Sequence, residues 1–446
     1  MTRPLDAGLQ VCRRRLDAAA AGPLAVAFSG GGDSLALLLV AGAYARQCGR
    51  PLLALHVDHG LQACSRAWAE QAAAAAERLG APFRVLRWEG DKPATGVPAA
   101  ARAARHGLIA EAAREAGARV VLLGHTLDDQ LENALMRGAG APVGPLAEWS
   151  ASPVWPQGRG LFHCRPLLAV RRAALRDWLA QQGLDWIEDP ANADPRYARA
   201  RARAALDQGS FARAIAPAAD IAALAGACRV TPWGAIEIDR TALRVAPQAE
   251  GLRLLQIALA CASGAERLAR PARASALLER LQGRDAFTAA LAGARVMAAD
   301  AVRLVREAGE AARGGLAPLD LSPGAAAVWD GRWALTAGTP GWRVQALGGL
   351  ARRLEARDTA ALRAMPASDR PSLPVLRNAE GHVRLVRLAT AGQGDHIDEA
   401  VGCVRMLVDH RFKAACGLFR REDDIGTFVR MANVHPPSYV EAEVKG

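Results

Sequence analysis

The stretch Leu24–Phe28 (Leu-Ala-Val-Ala-Phe) runs directly into Ser29–Ser34 (Ser-Gly-Gly-Gly-Asp-Ser), which is followed by the apolar run Leu35–Val40. This order predicts a β-strand, a glycine-rich turn and the start of a helix. Glycines let backbone N–H groups approach an anion without hindrance from a Cβ atom, and a helix N-terminus adds unpaired donors and a favourable dipole. The stretch therefore predicts a binding site for phosphate.

Asp33 distinguishes this loop from two other nucleotide-binding loops. A Walker A loop carries Lys before its Ser or Thr, whereas Asp33 precedes Ser34 here, and the dinucleotide pattern lacks its third glycine. A bare carboxylate beside a pyrophosphate would be repelled, so Asp33 indicates a bound Mg²⁺ or a positioning role. The alternative is a tight connection without a ligand, which leaves the two serines and the acid unexplained.

Strand-like and helix-like segments alternate through the first 190 residues. The predicted strands are Leu24–Phe28, Leu52–Val57, Phe83–Trp88, Arg119–Leu123 and Leu161–Cys164. The predicted helices between and after them are Ser34–Cys48, Ala63–Leu79, Pro98–Ala116, Thr126–Arg137 and Arg171–Gln182. Such alternation predicts an α/β fold with a doubly wound parallel sheet, whose ligands lie at the carboxyl ends of the strands.

The pattern changes after about residue 210. Helical Ala/Leu/Arg periodicity dominates up to Gly309, as in Gln248–Cys261 and Arg270–Leu281, with short β-like pieces at Gly234–Asp239 and Arg295–Arg306. Gly314–Gly324 is predicted to be a linker. Strands are predicted beyond it at Ala327–Thr336, Trp342–Leu347 and Val383–Leu388. The predicted units are a catalytic domain over 1–209, a mainly helical domain over 210–313 and a small α+β region over 325–446.

The composition indicates a polyanionic partner. The 446 residues carry a formal net charge of +11, which favours nucleic acid. Only three lysines occur, so a coding bias towards Arg is the alternative, but such a bias does not create an excess of positive charge. No apolar run is long enough for a membrane span or a signal peptide, and the eight cysteines form no C-x-x-C pair. We expect a cytoplasmic protein with reduced thiols and no membrane partner.

Two further polar clusters follow predicted strands. His56, Asp58, His59 and Gly60 end the second strand, and by the strand-end rule they face the same crevice as the glycine loop. A capped turn would explain Asp58 and Gly60 but not two histidines.

The second cluster is Gly124–Asn133, after the fourth strand. Helical spacing places Asp128 and Glu132 on one face beside Asp129, and clustered like charges need a cation, which Mg²⁺ or an amino substrate would supply. Acids in a first helical turn also complement the helix dipole, which would explain Asp128 and Asp129 but not Glu132. His125 is a candidate orienting group or acid/base.

Ser29–Ser34 resembles the SGGxDS loop of the N-type ATP pyrophosphatases, the PP-loop family, which cleave ATP between its α- and β-phosphates. Within that family, the series of motifs resembles the tRNA(Ile)-lysidine synthases in order and spacing. The matching segments are residues 29–34, 56–60, the Arg102-x-x-Arg105 pair, 125–140, 165–168, 186–192 and 197–199, with weaker similarity at 305–307 and 328–332. The chain departs from the family pattern at Pro98, Ala191 and Ala200.

The resemblance implies an ATP-dependent ligase that forms a carbon–nitrogen bond. Such an enzyme uses ATP to activate C2 of the wobble cytidine in tRNA(Ile) with a CAU anticodon by adenylating its oxygen. It releases pyrophosphate, and the amine of L-lysine then displaces AMP to give lysidine. ATP and Mg²⁺ are the implied cofactors, tRNA(Ile) and L-lysine the implied partners, and a homodimer is left open.

The resemblance also carries residue roles onto matching positions. Catalytic roles fall on Asp33, His125, Asp128, Asp129 and Glu132, and Mg²⁺ contacts on Asp33 and Asp129. ATP contacts fall on Ser29, Gly30, Gly31, Gly32, Asp33, Ser34, His56, Asp58 and His59. Arg binds phosphate bidentately through its planar fork, so tRNA contacts are expected at Arg102, Arg105, Arg137, Arg165, Arg199, Arg201 and Arg203.

Three alternatives stay open. A PP-loop enzyme of the tRNA 2-thiolation type would need paired reactive cysteines or an iron–sulfur site, which the cysteine spacing does not offer. An amidotransferase-type synthetase would need an ammonia-generating cysteine domain near Met1. A non-catalytic RNA-binding protein would have no need of the intact loop at 29–34.

Overall fold

The computed structural model describes residues 3–62, 64–141, 143–190, 194–196, 198–208, 220–313, 315–386 and 401–429. The family-pattern positions Ala191, Asn192 and Tyr197 lie outside these residues, as do the predicted boundary at 209/210 and the tail 430–446. We call residues 3–208 the first region, 220–313 the middle region, 315–386 the third region and 401–429 the C-terminal segment.

The first region is built on a six-stranded sheet. Its strands are β1 Leu24–Ala27, β2 Leu52–Asp58, β3 Phe83–Arg87, β4 Val120–Leu122, β5 Trp149–Ala151 and β6 Phe162–Cys164. The spatial order is β3-β2-β1-β4-β6-β5, and all neighbours are parallel except β5, which runs antiparallel to β6. The prediction of a doubly wound parallel sheet is confirmed.

Helices cover both faces of this sheet. They are α1 Pro4–Arg15, α2 Gly32–Cys48, α3 Ser65–Arg78, α4 Val97–Glu115, α5 Leu127–Gly138, α6 Arg172–Gln181 and α7 Ala198–Asp207. Successive strand residues point to opposite faces, so Leu24 and Val26 pack with α1, α2, α3 and α6, while Ala25 packs with α4. Burial on both faces explains why the strands read as continuous apolar runs.

Three elements of the first region lack a sequence signal strong enough to predict them. β5 has only three residues, α1 precedes the first strand, and α7 is an Arg-Ala repeat whose helix is held by its contacts with α5. Periodicity detects long segments that bury one face, and these three segments are short or mostly polar.

The middle region contains helices and more β-strands than its sequence pattern predicts. Its elements are α8 Ala222–Gly226, β7 Arg229–Val230, β8 Ile236–Asp239, α9 Arg240–Val245, α10 Gln248–Ser263, α11 Pro271–Gln282, β9 Phe287–Leu291, β10 Ala294–Ala298 and β11 Ala301–Arg306. The strands form one antiparallel sheet in the order β7-β8-β11-β10-β9. The predicted helices α10 and α11 are present, while the β-like piece Arg295–Arg306 is a hairpin of two strands. Ala and Arg have low β-propensity, so the packing of α10 on β10 and β11 decides their conformation.

The third region holds two small antiparallel sheets, and the C-terminal segment supplies the last strand of one of them. The region's elements are β12 Leu319–Asp320, β13 Ala327–Trp329, β14 Trp333–Ala337, β15 Arg343–Ala346, α12 Ala356–Arg363, β16 Pro374–Arg377 and β17 Val383–Leu385, and the segment adds β18 Val401–Met406, α13 Val408–Ala415 and α14 Glu422–Val429. The strand orders of the two sheets are β12-β15-β16-β17 and β13-β14-β18. The predicted strand Ala327–Thr336 is the hairpin β13–β14, which turns at Asp330 and Gly331, both with positive φ.

The C-terminal segment contacts all three regions. β18 pairs with β14 of the third region, and Val408 and Phe412 of α13 belong to the core of the middle region. Ile425 of α14 packs with Phe162 of β6 in the first region. The described part of the C-terminal segment therefore packs with each of the three regions.

Two whole-chain findings complete the description. All eight cysteines are free, and four of them are buried. Among the helices within the described ranges, none is both long and apolar enough to cross a membrane.

Candidate active site

The glycine loop joins the carboxyl end of β1 to α2. Gly30 has a φ of +85°, and helix α2 begins at Gly32, so the first N–H groups of the helix have no partner within it. The Ser34 hydroxyl braces the loop by donating to the Gly31 carbonyl at 2.8 Å and lying 3.1 Å from the Ser29 hydroxyl. This geometry presents backbone donors to an anion, as the sequence predicts.

Two neighbours hold the loop from outside. A Cβ atom on Gly124 would lie 3.1 Å from the Asp33 carbonyl oxygen, so the end of β4 approaches the loop as closely as a glycine allows. On the other side, Ile187 donates its N–H to the Gly30 carbonyl at 3.0 Å, its side chain fills the space beside Gly30, and the Trp186 ring covers Gly32. The sequence motif at 186–189 thus contacts the phosphate loop directly, a contact that sequence spacing cannot reveal.

The histidines after β2 have different environments. His56 is buried and its Nδ1 lies 3.0 Å from the Phe28 carbonyl, so this nitrogen carries the proton of the neutral ring. Burial lowers the pKa of His56. Asp58 accepts from the Gly60 N–H at 2.9 Å, and His59 beyond it packs edge-on against Trp88 with a pKa lowered by burial and by Arg105. The structure brings these three residues to the same sheet edge as the loop.

His125 is held neutral by its surroundings. Burial and the nearby guanidinium of Arg165 lower the pKa of His125 to about 3. Arg165 Nε donates to His125 Nδ1 at 3.2 Å, so the ring proton is on Nε2. Of the two roles predicted for His125, this arrangement favours an orienting hydrogen-bond donor over a proton-accepting base.

The first acids of α5 are occupied by local bonds. Thr126 is the predicted N-cap, and Asp129 Oδ2 accepts from the Thr126 N–H at 2.8 Å and from its hydroxyl at 3.0 Å. Asp128 accepts from the Arg172 N–H at 2.7 Å and pairs with Arg171. Asp129 therefore forms a capping box with Thr126 through Oδ2, which leaves room for a further contact through its other oxygen.

Arg172, a residue that the sequence analysis does not single out, lies at the centre of the acidic cluster. Each nitrogen of its guanidinium faces a different carboxylate: Nε contacts Asp33 at 2.9 Å, Nη1 contacts Glu132 at 2.9 Å, and Nη2 lies 3.5 Å from Asp129. The cation that the clustered acids require is thus supplied by the chain itself. The arginine pair 171–172 at the start of a predicted helix was the available signal, but nothing in its spacing indicates which acids it meets.

Glu132 is fully buried and is surrounded by arginines. Besides Arg172, Arg203 Nε donates to its Oε1 at 2.9 Å, and Arg199 Nε lies 3.3 Å from Oε2. Oε2 is buried and has no hydrogen bond of acceptable geometry within the described residues. Complete burial of a carboxylate is costly unless it is paired, which explains the concentration of guanidinium groups here.

The carboxylates of the site could hold Mg²⁺ together with phosphate oxygens of a bound nucleotide, rather than surround the ion by themselves. Of the residues described, no three or more His, Cys, Asp or Glu side chains form a group that could hold a metal ion. Mg²⁺ in nucleotide sites commonly uses one or two carboxylates together with phosphates. The bonds to Arg172 and Thr126 involve Oδ2 of Asp33 and Asp129, so Oδ1 of each carboxylate fits that requirement.

The seven arginines predicted to contact tRNA fall into different environments. Arg102 is exposed and Arg105 is half-buried, and within the described part of the chain neither has an ion pair or a side-chain hydrogen bond. Burial and the charges of Arg102 and Arg199 lower the pKa of Arg105 to about 10. Two neighbouring guanidinium groups that have no ion pair among the described residues favour a polyanionic ligand at this edge.

Four of the other five arginines of this set are engaged within the protein. Arg165 is buried and donates to the Ala147 carbonyl and the Ser150 hydroxyl, which favours its role on His125 over a phosphate contact. Arg199 and Arg203 contact Glu132, and Arg201 donates to the carbonyls of Pro195 and Arg196. Arg137 is half-buried, with a buried Nη1 that has no partner among the described residues.

Comparison with known proteins gives a consistent result. Residues 10–209 match the PP-loop domain family. The chain is 50% identical over 415 residues to a tRNA(Ile)-lysidine synthase from Caulobacter vibrioides, covering 92% of this chain and 97% of that protein. Proteins of the same name from Hyphomonas neptunium and Methylobacterium nodulans are 45% and 40% identical, covering 41% and 63% of this chain and 50% and 87% of theirs.

Proposed function

From the premise that this chain belongs to the tRNA(Ile)-lysidine synthase family, we propose that it ligates L-lysine to C2 of the wobble cytidine of tRNA(Ile) with a CAU anticodon. ATP is the energy source, and the reaction passes through an adenylated tRNA to give lysidine, AMP and pyrophosphate. The observation that supports this most is the meeting of three features at one sheet edge: the loop 29–34, the buried acid Glu132 and the unpaired arginines Arg102 and Arg105.

The first step is the transfer of AMP to the cytidine oxygen. That oxygen attacks the α-phosphorus, the bond to the β-phosphate breaks, and pyrophosphate leaves carrying the negative charge. The N–H groups at the start of α2 and the Ser29 hydroxyl bind the phosphates, and Ser34 supports them by holding the loop through its bond to the Gly31 carbonyl. Mg²⁺ would be held by Asp33 and Asp129 together with phosphate oxygens, where it would neutralise charge on the departing pyrophosphate.

The second step replaces AMP with lysine. The ε-ammonium group of lysine gives a proton to solvent, the resulting amine attacks C2, and AMP leaves with the oxygen through which it was attached. We assign Glu132 to the lysine ammonium group, because its Oε2, although paired with Arg199 Nε at 3.3 Å, accepts no hydrogen bond among the described residues. Neutral His125 donates a hydrogen bond from Nε2 to orient the reacting groups.

The direct test is incorporation of labelled lysine. The protein is incubated with ATP, labelled L-lysine and tRNA(Ile) carrying the CAU anticodon, and label in the tRNA and release of AMP are measured. We expect both with the native protein and neither with Asp33→Asn. AMP release accompanied by sulfur transfer would support the 2-thiolation alternative, and tRNA binding without AMP release would support the non-catalytic one.

The arginine assignment has its own test. Replacing Arg102 and Arg105 with Ala is expected to weaken tRNA binding and to reduce the slope of log K against log salt by roughly one to two, since each phosphate contact contributes about one. Arg66→Ala is the control, because Arg66 forms an exposed pair with Glu70 on α3. An unchanged salt slope in the double variant would refute the assignment.

The remaining parts of the proposal concern the whole protein. We assign the protein to the cytoplasm and propose that the middle region binds tRNA. A homodimer is the assembly that sedimentation should test. The unpaired arginines and the net charge of +11 support a tRNA partner.

A further inference from the structure

Arg172 contacts all four acids that are assigned catalytic roles. Its side chain reaches Asp33, Asp129 and Glu132 through separate nitrogens, and its backbone N–H donates to Asp128. These acids come from two helices, because Asp33 lies in the first turn of α2 and the other three lie in α5. Among the ion pairs of the described residues, Arg171, Arg199 and Arg203 pair only with acids of α5, whereas Arg172 pairs with acids of both helices.

The contacts depend on the shape of the guanidinium group. Its nitrogens lie in one plane and point in different directions, so one group can address three carboxylates at once. The side chain is 14% exposed and Glu132 is fully buried, so these bonds are shielded from water. Arg172 also begins helix α6, whose Leu175 and Leu179 are fully buried in the core of the first region, so its backbone is held in place.

We propose that Arg172 is a positioning residue that couples the phosphate loop to the lysine-binding acid by holding Asp33 and Glu132 at a fixed separation. The proposal rests on the proposed function, in which Asp33 serves ATP and Glu132 serves lysine. When one of these acids is neutralised, Arg172 interacts more strongly with the other. A substitution at Glu132 therefore alters the affinity of the nucleotide site for ATP. Arg172 itself need not touch either substrate.

The test measures ATP affinity rather than lysine incorporation. Glu132→Gln is made in the native chain and in an Arg172→Met background, and the Kd for ATP with Mg²⁺ is measured for all four proteins. In the native background we expect Glu132→Gln to change the Kd by about five-fold, the change that corresponds to 1 kcal/mol of coupling between residues sharing a partner. In the Arg172→Met background we expect Glu132→Gln to leave the Kd for ATP unchanged, because Arg172 no longer links Glu132 to Asp33.

Two results would overturn the proposal: no effect of Glu132→Gln on ATP affinity in the native background, or an equal effect in both backgrounds. ATP binding does not depend on whether lysine is the second substrate, so this failure is distinct from a failure of lysine incorporation. Arg172→Lys keeps the charge but lacks the planar fork, so we expect it to behave as Arg172→Met does.

Controls separate positioning from general loss of structure. Thermal unfolding is followed for each variant, and Arg172→Gln replaces Arg172→Met if the latter does not fold. Arg66→Met, which removes an exposed arginine far from the acids in sequence and on another helix, is expected to leave the effect of Glu132→Gln on the Kd unchanged.

Discussion

At the scale of single residues, His106 makes stability depend on pH. Burial, together with the charges of Arg105 and Arg102, lowers the pKa of His106 to about 3, and its ring stacks on buried His163 at a centroid distance of 5.7 Å. Since the unfolded chain titrates near its ordinary value of about 6.5, the unfolded state binds more protons between pH 6.5 and 3. The free energy of unfolding should therefore fall as the pH drops through this window.

His106→Phe keeps an aromatic ring beside His163 and removes the titration. Between pH 7 and pH 5 one such histidine lowers the free energy of unfolding by up to about 2 kcal/mol. The free energy of unfolding of the variant should therefore fall by that much less over the same range. Urea denaturation at pH 7 and pH 5 measures the difference. An unchanged pH dependence in the variant would show that His106 takes up protons in the folded protein near its ordinary pKa.

The acids and the arginines of the site differ in how far sequence predicts them. Helical spacing places Asp128, Asp129 and Glu132 together because their separation is local to one helix. The partner Arg172 is 40 residues beyond Glu132, and its contact depends on how α6 packs against α2. Local periodicity contains no information about that packing, so the clustered acids could be predicted and the cation between them could not.

At the scale of secondary-structure elements, the close approach of β4 to the phosphate loop gives a second prediction. A Cβ atom at residue 124 would lie 3.1 Å from the Asp33 carbonyl and 3.2 Å from the Ser34 nitrogen, both backbone atoms that cannot rotate away. Gly124→Ala should therefore displace the loop and weaken ATP binding by at least about ten-fold, the equivalent of about 1.4 kcal/mol. Equilibrium binding of ATP measures this change.

Gly138→Ala is the matched control for that experiment. Gly138 ends α5, and a Cβ atom there would meet nothing within 4 Å. Alanine in a helix is more stable than glycine by roughly 0.5–1 kcal/mol, so this variant should be slightly stabilised and should bind ATP normally. Equal ATP affinity for Gly124→Ala and the native protein would mean that the loop tolerates the shift.

The parallel sheet could be predicted from sequence, whereas the middle-region sheet could be predicted only in part. β1, β2 and β4 are buried apolar runs between helices, a pattern that few folds share. The predicted β-like pieces contain β8, β11 and all of β10 except Ala294, but β9 has two alanines, which suit helices as well, and its pairing with β10 makes it a strand.

At the scale of the whole molecule, a buried ion pair joins the two ends of the described chain. Arg50, which follows α2, contacts Glu422 at the start of α14 with side-chain exposures of 2% and 0%. Arg50 also donates to the carbonyls of Asp17 and Gly22, and Glu422 accepts from the Asp17 N–H. The phosphate-loop helix and the C-terminal segment are thus joined at one buried point.

Removing one partner of this pair leaves an uncompensated buried charge, so Glu422→Ala should lower the free energy of unfolding by about 3–5 kcal/mol. The double variant Arg50→Met/Glu422→Met buries no charge at this point, so it should regain part of the lost free energy of unfolding. The part regained is due to the uncompensated charge, and the part not regained is due to lost packing. Urea denaturation measures both, while proteolysis of the native state shows whether α14 detaches first. If Glu422→Ala unfolds like the native protein, the pair does not stabilise the attachment, and the C-terminal segment is held chiefly by the apolar contacts of Phe412 and Ile425.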